Sequence, residues 1–349
     1  MGLVDTDIHN APASETALYP FLPRRWREYH AQFGTRGYAG GTYPRANPNA
    51  ARTDAWPPSG LGPGADLPFL REQLLDAWNI EVGICNPLVG VNGTVIEYSA
   101  ALCSAVNDWQ VAEWLEPEPR LRGSIVVPYE DGDLAAAEID RVAGDPRFVQ
   151  VLLTIRTREP LGKRRFWKLY EAAERHGLPV GIHFGGYGGN PYTGAGKPSF
   201  YFEDHCGTSQ VFQAQLISLV CEGVFQRFPG LKVVIIEGGF AWLPPLMWRL
   251  DGAYKLLKSE VPDLDRLPSE IIREHFWVTT QPVEEPHRPH EFAELLAQLN
   301  MPDRLMFATD YPHWDFDAPD QAVPRTVPPD LRRAILAENA RALYGLRSS

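Results

Sequence analysis

Short apolar runs alternate with stretches of helical period along the whole chain. Runs that read as strands, either alternating or continuously apolar, fall at residues 2–9, 81–85, 121–128, 148–154, 178–184, 231–237, 276–280 and 304–310. Between them, apolar positions recur every three to four residues over 66–79, 95–115, 134–143, 162–176, 210–228, 241–258, 289–299 and 331–344. In the first of these, Leu70, Leu74, Leu75 and Trp78 share one face. Gly177 stands where a left-handed residue closes the helix 162–176. Eight strand-and-helix units in 349 residues predict an α/β chain folded as a (β/α)8 barrel. A doubly wound sheet would favour a glycine-rich phosphate turn after the first run, and none follows it. The segment 10–68 breaks the pattern: it is rich in Pro, Gly and aromatic residues and has little periodicity. It reads as a long cap or insertion after strand 1, inside a single domain of residues 1–349. Its sequence Arg24-Arg25-Trp26-Arg27-Glu28-Tyr29 either docks over the barrel mouth or starts a charged surface helix.

Composition narrows the class of partner. With 44% hydrophobic and 22% charged residues, the chain is an ordinary globular protein. Its 33 basic and 44 acidic residues leave a net charge of −11, which argues against nucleic acid and against an anionic membrane surface. No run approaches the ~18 apolar residues of a membrane span, and the N-terminus lacks the regions of a signal peptide. Met1-Gly2 matches a myristoylation start only formally, because Gly2 leads directly into the first strand. Cys85, Cys103, Cys206 and Cys221 form no closely spaced pair and read as reduced thiols of a cytoplasmic protein.

Barrels carry their chemistry at the C-terminal ends of strands. Run one ends in Asp7-Ile8-His9, run five reaches His183, and runs six and eight end in Glu237 and Asp310. Strand alternation places Asp7 and His9 on one face. A lone His at a strand end is commonly a hydrogen-bonded core residue, and a lone Asp there is commonly a helix cap. Four such strand ends together make a different case: burying them unpaired is costly, and a bound cation removes the cost. Three carboxylates with two or three imidazoles form a metal-ligand inventory.

Four segments carry a family resemblance. These are Asp5-Thr6-Asp7-Ile8-His9, Gly181-Ile182-His183, Phe228-Pro229-Gly230-Leu231-Lys232-Val233-Val234 and Phe307-Ala308-Thr309-Asp310-Tyr311-Pro312-His313. In this order they resemble the amidohydrolase-related family of metal-dependent barrels, which includes aminocarboxymuconate-semialdehyde decarboxylases. The family pattern has His-x-His at strand one, His at strands five and six, and Asp at strand eight. His9, His183 and Asp310 match it, whereas Asp7 replaces the first His and Glu237 the strand-six His. The bridging Lys or Glu that two-metal hydrolases often carry at strand four is missing, since strand four ends in Thr154-Ile155-Arg156. His205, expected on the loop after strand five, is a further ligand candidate. Replacing imidazole by carboxylate hardens a site and suits iron or manganese better than zinc.

The resemblance implies three readings. In the first, Asp7, His9, His183, His205, Glu237 and Asp310 bind two divalent ions, Fe/Fe or Fe/Mn, and the chain is a non-haem monooxygenase using O2 on a small organic substrate. This rests on similarity to a minority of such barrels with Asp-x-His and Glu at these two positions. The alternative is a metal-dependent hydrolase or non-oxidative decarboxylase, with zinc an option, in which Asp310 is also a general base and His313 assists. The third is a partner subunit whose site has decayed. His313 and Asp315 are candidates for orienting ligands, Tyr311 and Trp314 for lining the pocket, and Gln281 and Arg156 for touching substrate. The apolar helix around 211–228 and the Trp-rich segment 241–248 hint at a homo- or hetero-oligomer.

Overall fold

The computed structural model describes residues 2–34, 48–89, 95–186 and 192–346. Its strands are β1 Leu3–Ile8, β2 Ile80–Cys85, β3 Leu121–Val126, β4 Phe148–Arg156, β5 Val180–Gly186, β6 Val233–Ile236, β7 Phe276–Thr279 and β8 Leu305–Met306. They form one parallel eight-stranded sheet in chain order. The sheet closes where Thr6 N donates to Phe307 O at 3.0 Å and Ile8 bridges Tyr311. This is the (β/α)8 barrel the alternation predicts.

The longer helices are α1 Arg24–Phe33, α2 Ile96–Gln110, α3 Gly132–Val142, α4 Trp167–Arg175, α5 Tyr201–Cys221, α6 Leu243–Leu257, α7 Pro268–His275, α8 Pro289–Leu299 and α9 Asn339–Tyr344. Side chains alternate along each strand. Val151, Leu153 and Ile155 of β4 join the large core shared with the helices, whereas Leu152 joins a second cluster inside the barrel. That inner cluster takes Val4, Val82, Val234, Ile236, Trp277 and Met306 from five other strands and is closed by Ala337, Ala340 and Leu343 of the C-terminal segment.

Val4 and Asp7 both serve the interior, an odd spacing that regular alternation forbids. The pairing of β1 with β2 shifts register between Asp5 and Ile8, and the shift re-aims Asp7 and His9 together. The run 304–310 shrinks to the two-residue β8 because other acceptors take the next amides. Ala308 N donates to Thr280 Oγ1, Thr309 N to Asp5 Oδ1 and Asp310 N to Asp7 O, at 3.2, 2.9 and 3.1 Å.

One local expectation is corrected, and a second segment takes one of its two readings. The helix after β5 starts at Tyr201 rather than 210, so His205 sits in its first turns instead of on a loop. Glu203 accepts the amides of Ser199 and Phe200, both at 2.9 Å, and so caps this start. The polar residues of these turns hide the helical period. In segment 10–68, α1 packs Trp26 and Tyr29 on Tyr98 of α2, with ring centroids 5.4 and 4.9 Å apart, while Arg24 and Glu28 pair in solvent. Residues 24–29 thus start a helix with a charged outer face, as the second of their two readings has it. Residues 35–47 of the segment lie outside the described residues. Beyond them the chain runs along the loop after β8: Trp314 N donates to Ala50 O at 2.7 Å and Arg52 N to Pro312 O at 2.9 Å.

Candidate metal centre

The four strand ends converge. One donor atom each from Asp7, His9, His183 and Asp310 lies within 4.8 Å of the others, and all four residues are buried. His9 Nε2 is 2.8 Å from Asp310 Oδ1 and 3.5 Å from Asp7 Oδ1, and His183 Nε2 is 3.2 Å from Asp7 Oδ2. Backbone carbonyls fix both rings. His9 Nδ1 lies 2.8 Å from Asn86 O and His183 Nδ1 2.7 Å from Phe184 O. Carbonyls only accept, so each Nδ1 carries a hydrogen and each Nε2 turns toward carboxylates. A lone pair facing a carboxylate is stable only with a cation or a proton between them.

Glu237 extends the cluster. Its Oε2 is 3.4 Å from His183 Nε2 and, though buried, has no hydrogen-bond partner. Glu237 also belongs to two further donor groups, one with His205 and Asp315 and one with Asp310 and His313. His205 Nε2 meets Asp315 Oδ2 at 2.9 Å, and His313 Nδ1 meets Asp310 Oδ1 at 2.7 Å. Gln281 ties the groups together, donating to Asp310 Oδ2 at 3.1 Å and to Asp315 Oδ2 at 3.0 Å. The orphaned Glu237 oxygen and the two aimed Nε2 atoms fit divalent cations, and an oxygen-rich donor set with imidazoles fits manganese or iron.

Glu237 and Asp310 both adopt left-handed backbone, at φ 58° and 61°. This conformation is costly for residues with a side chain and persists where surroundings impose it, often at functional sites. Here the amide of Asp310 is held by Asp7 O, and that of Glu237 by Thr279 Oγ1 at 3.2 Å.

Burial opposes the charge on His9, but Asp7 and Asp310 outweigh it and raise the pKa from 6.5 to about 9. Burial, then the charges of Asp310, Asp315 and Asp7, push the Glu237 carboxyl well above the usual carboxylate range. Burial also disfavours ionised Asp7, yet the neighbouring His183 and His9 bring its pKa below the ordinary value. The metal-free cluster therefore holds protons at pH 7 where cations would sit. Manganese binding at pH 7 is expected to release protons, and fewer once the pH passes 9. Calorimetry in buffers of different ionisation enthalpy reads this, and binding without proton release would contradict it. Because the folded pKa of His9 is raised, its proton stabilises the metal-free fold fully below pH 6.5, and that stabilisation is lost as the pH rises through about 9.

Around the donors, Tyr201, His205 and Trp314 form an aromatic wall, with the His205 and Trp314 rings 5.2 Å apart and Trp314 Nε1 donating to Tyr201 OH at 3.0 Å. Arg156, at the end of β4, pairs with Asp204 at 2.5 Å and lies over the rings of Phe184 and Tyr192. Sequence reasoning missed Asn86, whose carbonyl holds His9 and whose amide donates to Asp7 Oδ1 at 2.8 Å. Its signal was a polar residue just past the apolar run 81–85, in phase with the inward Val82.

The sequence profile of the amidohydrolase family matches residues 4–346. The chain belongs to this family. Among curated relatives, a gamma-resorcylate decarboxylase of Polaromonas sp. is 24% identical over 286 residues, 74% of this chain and 84% of that protein. Another, from Rhodococcus jostii, is 26% identical over 71% of this chain and 78% of its own length. Solved structures share the fold. The 2,6-dihydroxybenzoate decarboxylase from Rhizobium superposes with TM-score 0.70 and 20% identity over 99% of both chains. The 5-carboxyvanillate decarboxylase from Novosphingobium aromaticivorans, solved with bound manganese, gives 0.72 and 18% over 99% of this chain and 97% of that one. As a member of the family the chain is a metal-dependent enzyme. None of these relatives is an oxygenase. No helix among the described residues is long and apolar enough to cross a membrane.

Proposed function

We propose that this enzyme removes CO2 non-oxidatively from a small organic carboxylic acid, with a divalent cation, manganese first, as cofactor. The observation that carries the reading is the four-donor cluster Asp7–His9–His183–Asp310 at the barrel mouth. The chain-wide likeness to decarboxylases, one of them holding manganese, supports it.

A cation held by these four residues supplies a Lewis acid for the oxygen atoms of the substrate. The protein does the rest. Arg156 sets positive charge beside the donors, where an anionic substrate is oriented. Tyr201 and Trp314 line one flank of the site. In the reaction the bond between the ring or chain carbon and the carboxylate breaks, its electron pair stays on the carbon, CO2 leaves, and the carbon takes one proton. Asp310 and His313, whose Nδ1 lies 2.7 Å from Asp310 Oδ1, are the pair that would pass this proton to the carbon. Full-length protein loaded with manganese, held without oxygen and given 2,6-dihydroxybenzoate and other hydroxybenzoates, is expected to release CO2. No CO2 from any of them would overturn the reading.

One observation favours a second reading. The group His205–Glu237–Asp315, joined to the first through Glu237, has the donors for a second cation, which supports a dinuclear iron or iron–manganese oxygenase. Oxygen uptake by iron-loaded protein with a reductant, and none by zinc-loaded protein, would favour it over the decarboxylase. Asp7 and Glu237 both stay within donor distance of the clusters, which counts against a decayed site.

A further inference from the structure

The interior of a (β/α)8 barrel is normally filled by branched apolar side chains. In this barrel a file of polar side chains crosses that interior. Asn86 just past β2, Ser124 on β3 and Gln150 on β4 are fully buried, and Ser124 and Gln150 are register partners. At the far end, Tyr344 of α9 packs against the inner apolar cluster and donates its hydroxyl to Gln150 Oε1 at 2.9 Å. Gln150 Nε2 donates to Ser124 Oγ at 2.8 Å and to Asn86 Oδ1 at 2.9 Å. Ser124 Oγ donates to Asn86 Oδ1 at 2.6 Å, and Asn86 Nδ2 donates to Asp7 Oδ1 at 2.8 Å and to Thr6 O at 3.1 Å.

The direction of every bond follows from the last one. An ionised carboxylate only accepts, so Asn86 must turn its amide nitrogen to Asp7. That leaves its oxygen for Ser124 and Gln150, which must then donate, and the oxygen of Gln150 is left for Tyr344. All the donors point toward Asp7. Such buried chains polarise one another when complete, and buried amides are costly when left unpaired. The fold makes room for the file at Gly181 of β5, where a Cβ would come within 3.0 Å of Gln150 Oε1 and 2.8 Å of Ile236 Cδ1. Asn86 also holds His9 through its carbonyl, so one residue at the head of the file orients two candidate ligands.

We propose that this file is a positioning relay that couples the C-terminal helix to the metal centre: Tyr344 anchors it, and Gln150, Ser124 and Asn86 transmit that anchorage to Asp7 and His9. The proposal rests on Asp7 and His9 being metal ligands. Without the Tyr344 hydroxyl, Gln150 Oε1 is a buried acceptor with no donor. Its amide is then free to turn, Asn86 loses the donors that fix its own amide, and Asp7 loses its orientation. Partners of this kind behind a ligand typically tune metal affinity about 10–100-fold.

The test is manganese binding by full-length, metal-free protein, followed by electron paramagnetic resonance titration, for wild type, Tyr344→Phe, Gln150→Leu, Leu343→Ala and Asp7→Asn. Leu343 precedes Tyr344 in the chain and is buried in the same inner cluster, but its side chain has no polar atom to join the file, so Leu343→Ala reports loss of packing at this helix without loss of a hydrogen bond. Gln150→Leu is expected to weaken manganese binding about tenfold and Tyr344→Phe in the same direction, while Leu343→Ala lowers the Tm and keeps wild-type affinity. Wild-type affinity in Gln150→Leu and Tyr344→Phe, with loss in Asp7→Asn, would overturn the relay alone, as would an equal loss in Leu343→Ala. Wild-type affinity in Asp7→Asn would overturn the ligand assignment beneath it.

Discussion

Asp310→Asn is expected to lower kcat about a thousandfold and to weaken manganese binding by more than the ~10–100-fold that loss of an orienting partner costs. The side chain joins the first cluster to the groups around it. Its Oδ1 meets His9 Nε2 at 2.8 Å and His313 Nδ1 at 2.7 Å, and its Oδ2 accepts from Gln281 at 3.1 Å. Asparagine keeps the shape but removes the negative charge and any carried proton, and it turns a donor toward groups that also donate. The backbone does not resist the exchange, because Asn tolerates the left-handed conformation that Asp310 holds at φ 61°. A loss of function in this variant is thus a loss of chemistry rather than of fold. Steady-state kinetics on whichever hydroxybenzoate is turned over, together with metal content after dialysis, check it. Wild-type metal content and a kcat within a few fold would remove Asp310 from both roles.

How much of this was readable beforehand depends on the range of the interaction. The barrel follows from local periodicity, because each strand-and-helix unit carries its own pattern of two and 3.6. Asp7, His9, His183, Glu237 and Asp310 were readable for a related reason: each is an ionisable group closing an apolar run, and the closed barrel brings strand ends to one place. The partners of these residues were not. Asn86, Ser124 and Gln150 look like ordinary polar residues in or beside strands, and only the stagger between neighbouring strands sets them in one file. Tyr344 comes from the opposite end of the sequence. His205 reads as a loop residue because the capped start of α5 carries polar residues that mask its period. The sequence offers Asp315 as a candidate for orienting ligands, and its place opposite His205 depends on how the loop after β8 turns back, which no local pattern specifies. The register shift in β1 was also hidden: alternation places Asp7 with His9 correctly but would set both opposite Val4.

Glu237→Gln separates the two readings: under the two-cation reading it is expected to lower the number of cations held from two to one, and under the one-cation reading to leave it at one. Glu237 is common to the groups His205–Glu237–Asp315 and Glu237–Asp310–His313, whereas the first group, Asp7–His9–His183–Asp310, is complete without it. The exchange removes the negative charge on which a second cation depends and leaves His183 facing Asp7 at 3.2 Å. A neutral Gln suits the buried position, since burial and three nearby carboxylates already penalise charge on Glu237 in the metal-free protein. Under the two-cation reading the wild-type protein retains two equivalents of manganese or iron per chain after dialysis and shows the magnetic signature of a coupled pair, and under the one-cation reading it retains one. Under the two-cation reading Glu237→Gln then retains one equivalent with an isolated-ion spectrum, and Asp315→Asn behaves the same way, because Asp315 serves the second group alone. If wild type holds a single ion, the two-metal oxygenase loses its structural basis and the one-cation decarboxylase stands. If it holds two and Glu237→Gln still decarboxylates with one, the second ion is separable from the lyase chemistry, and oxygen consumption in wild type against the variant then decides what that ion is for.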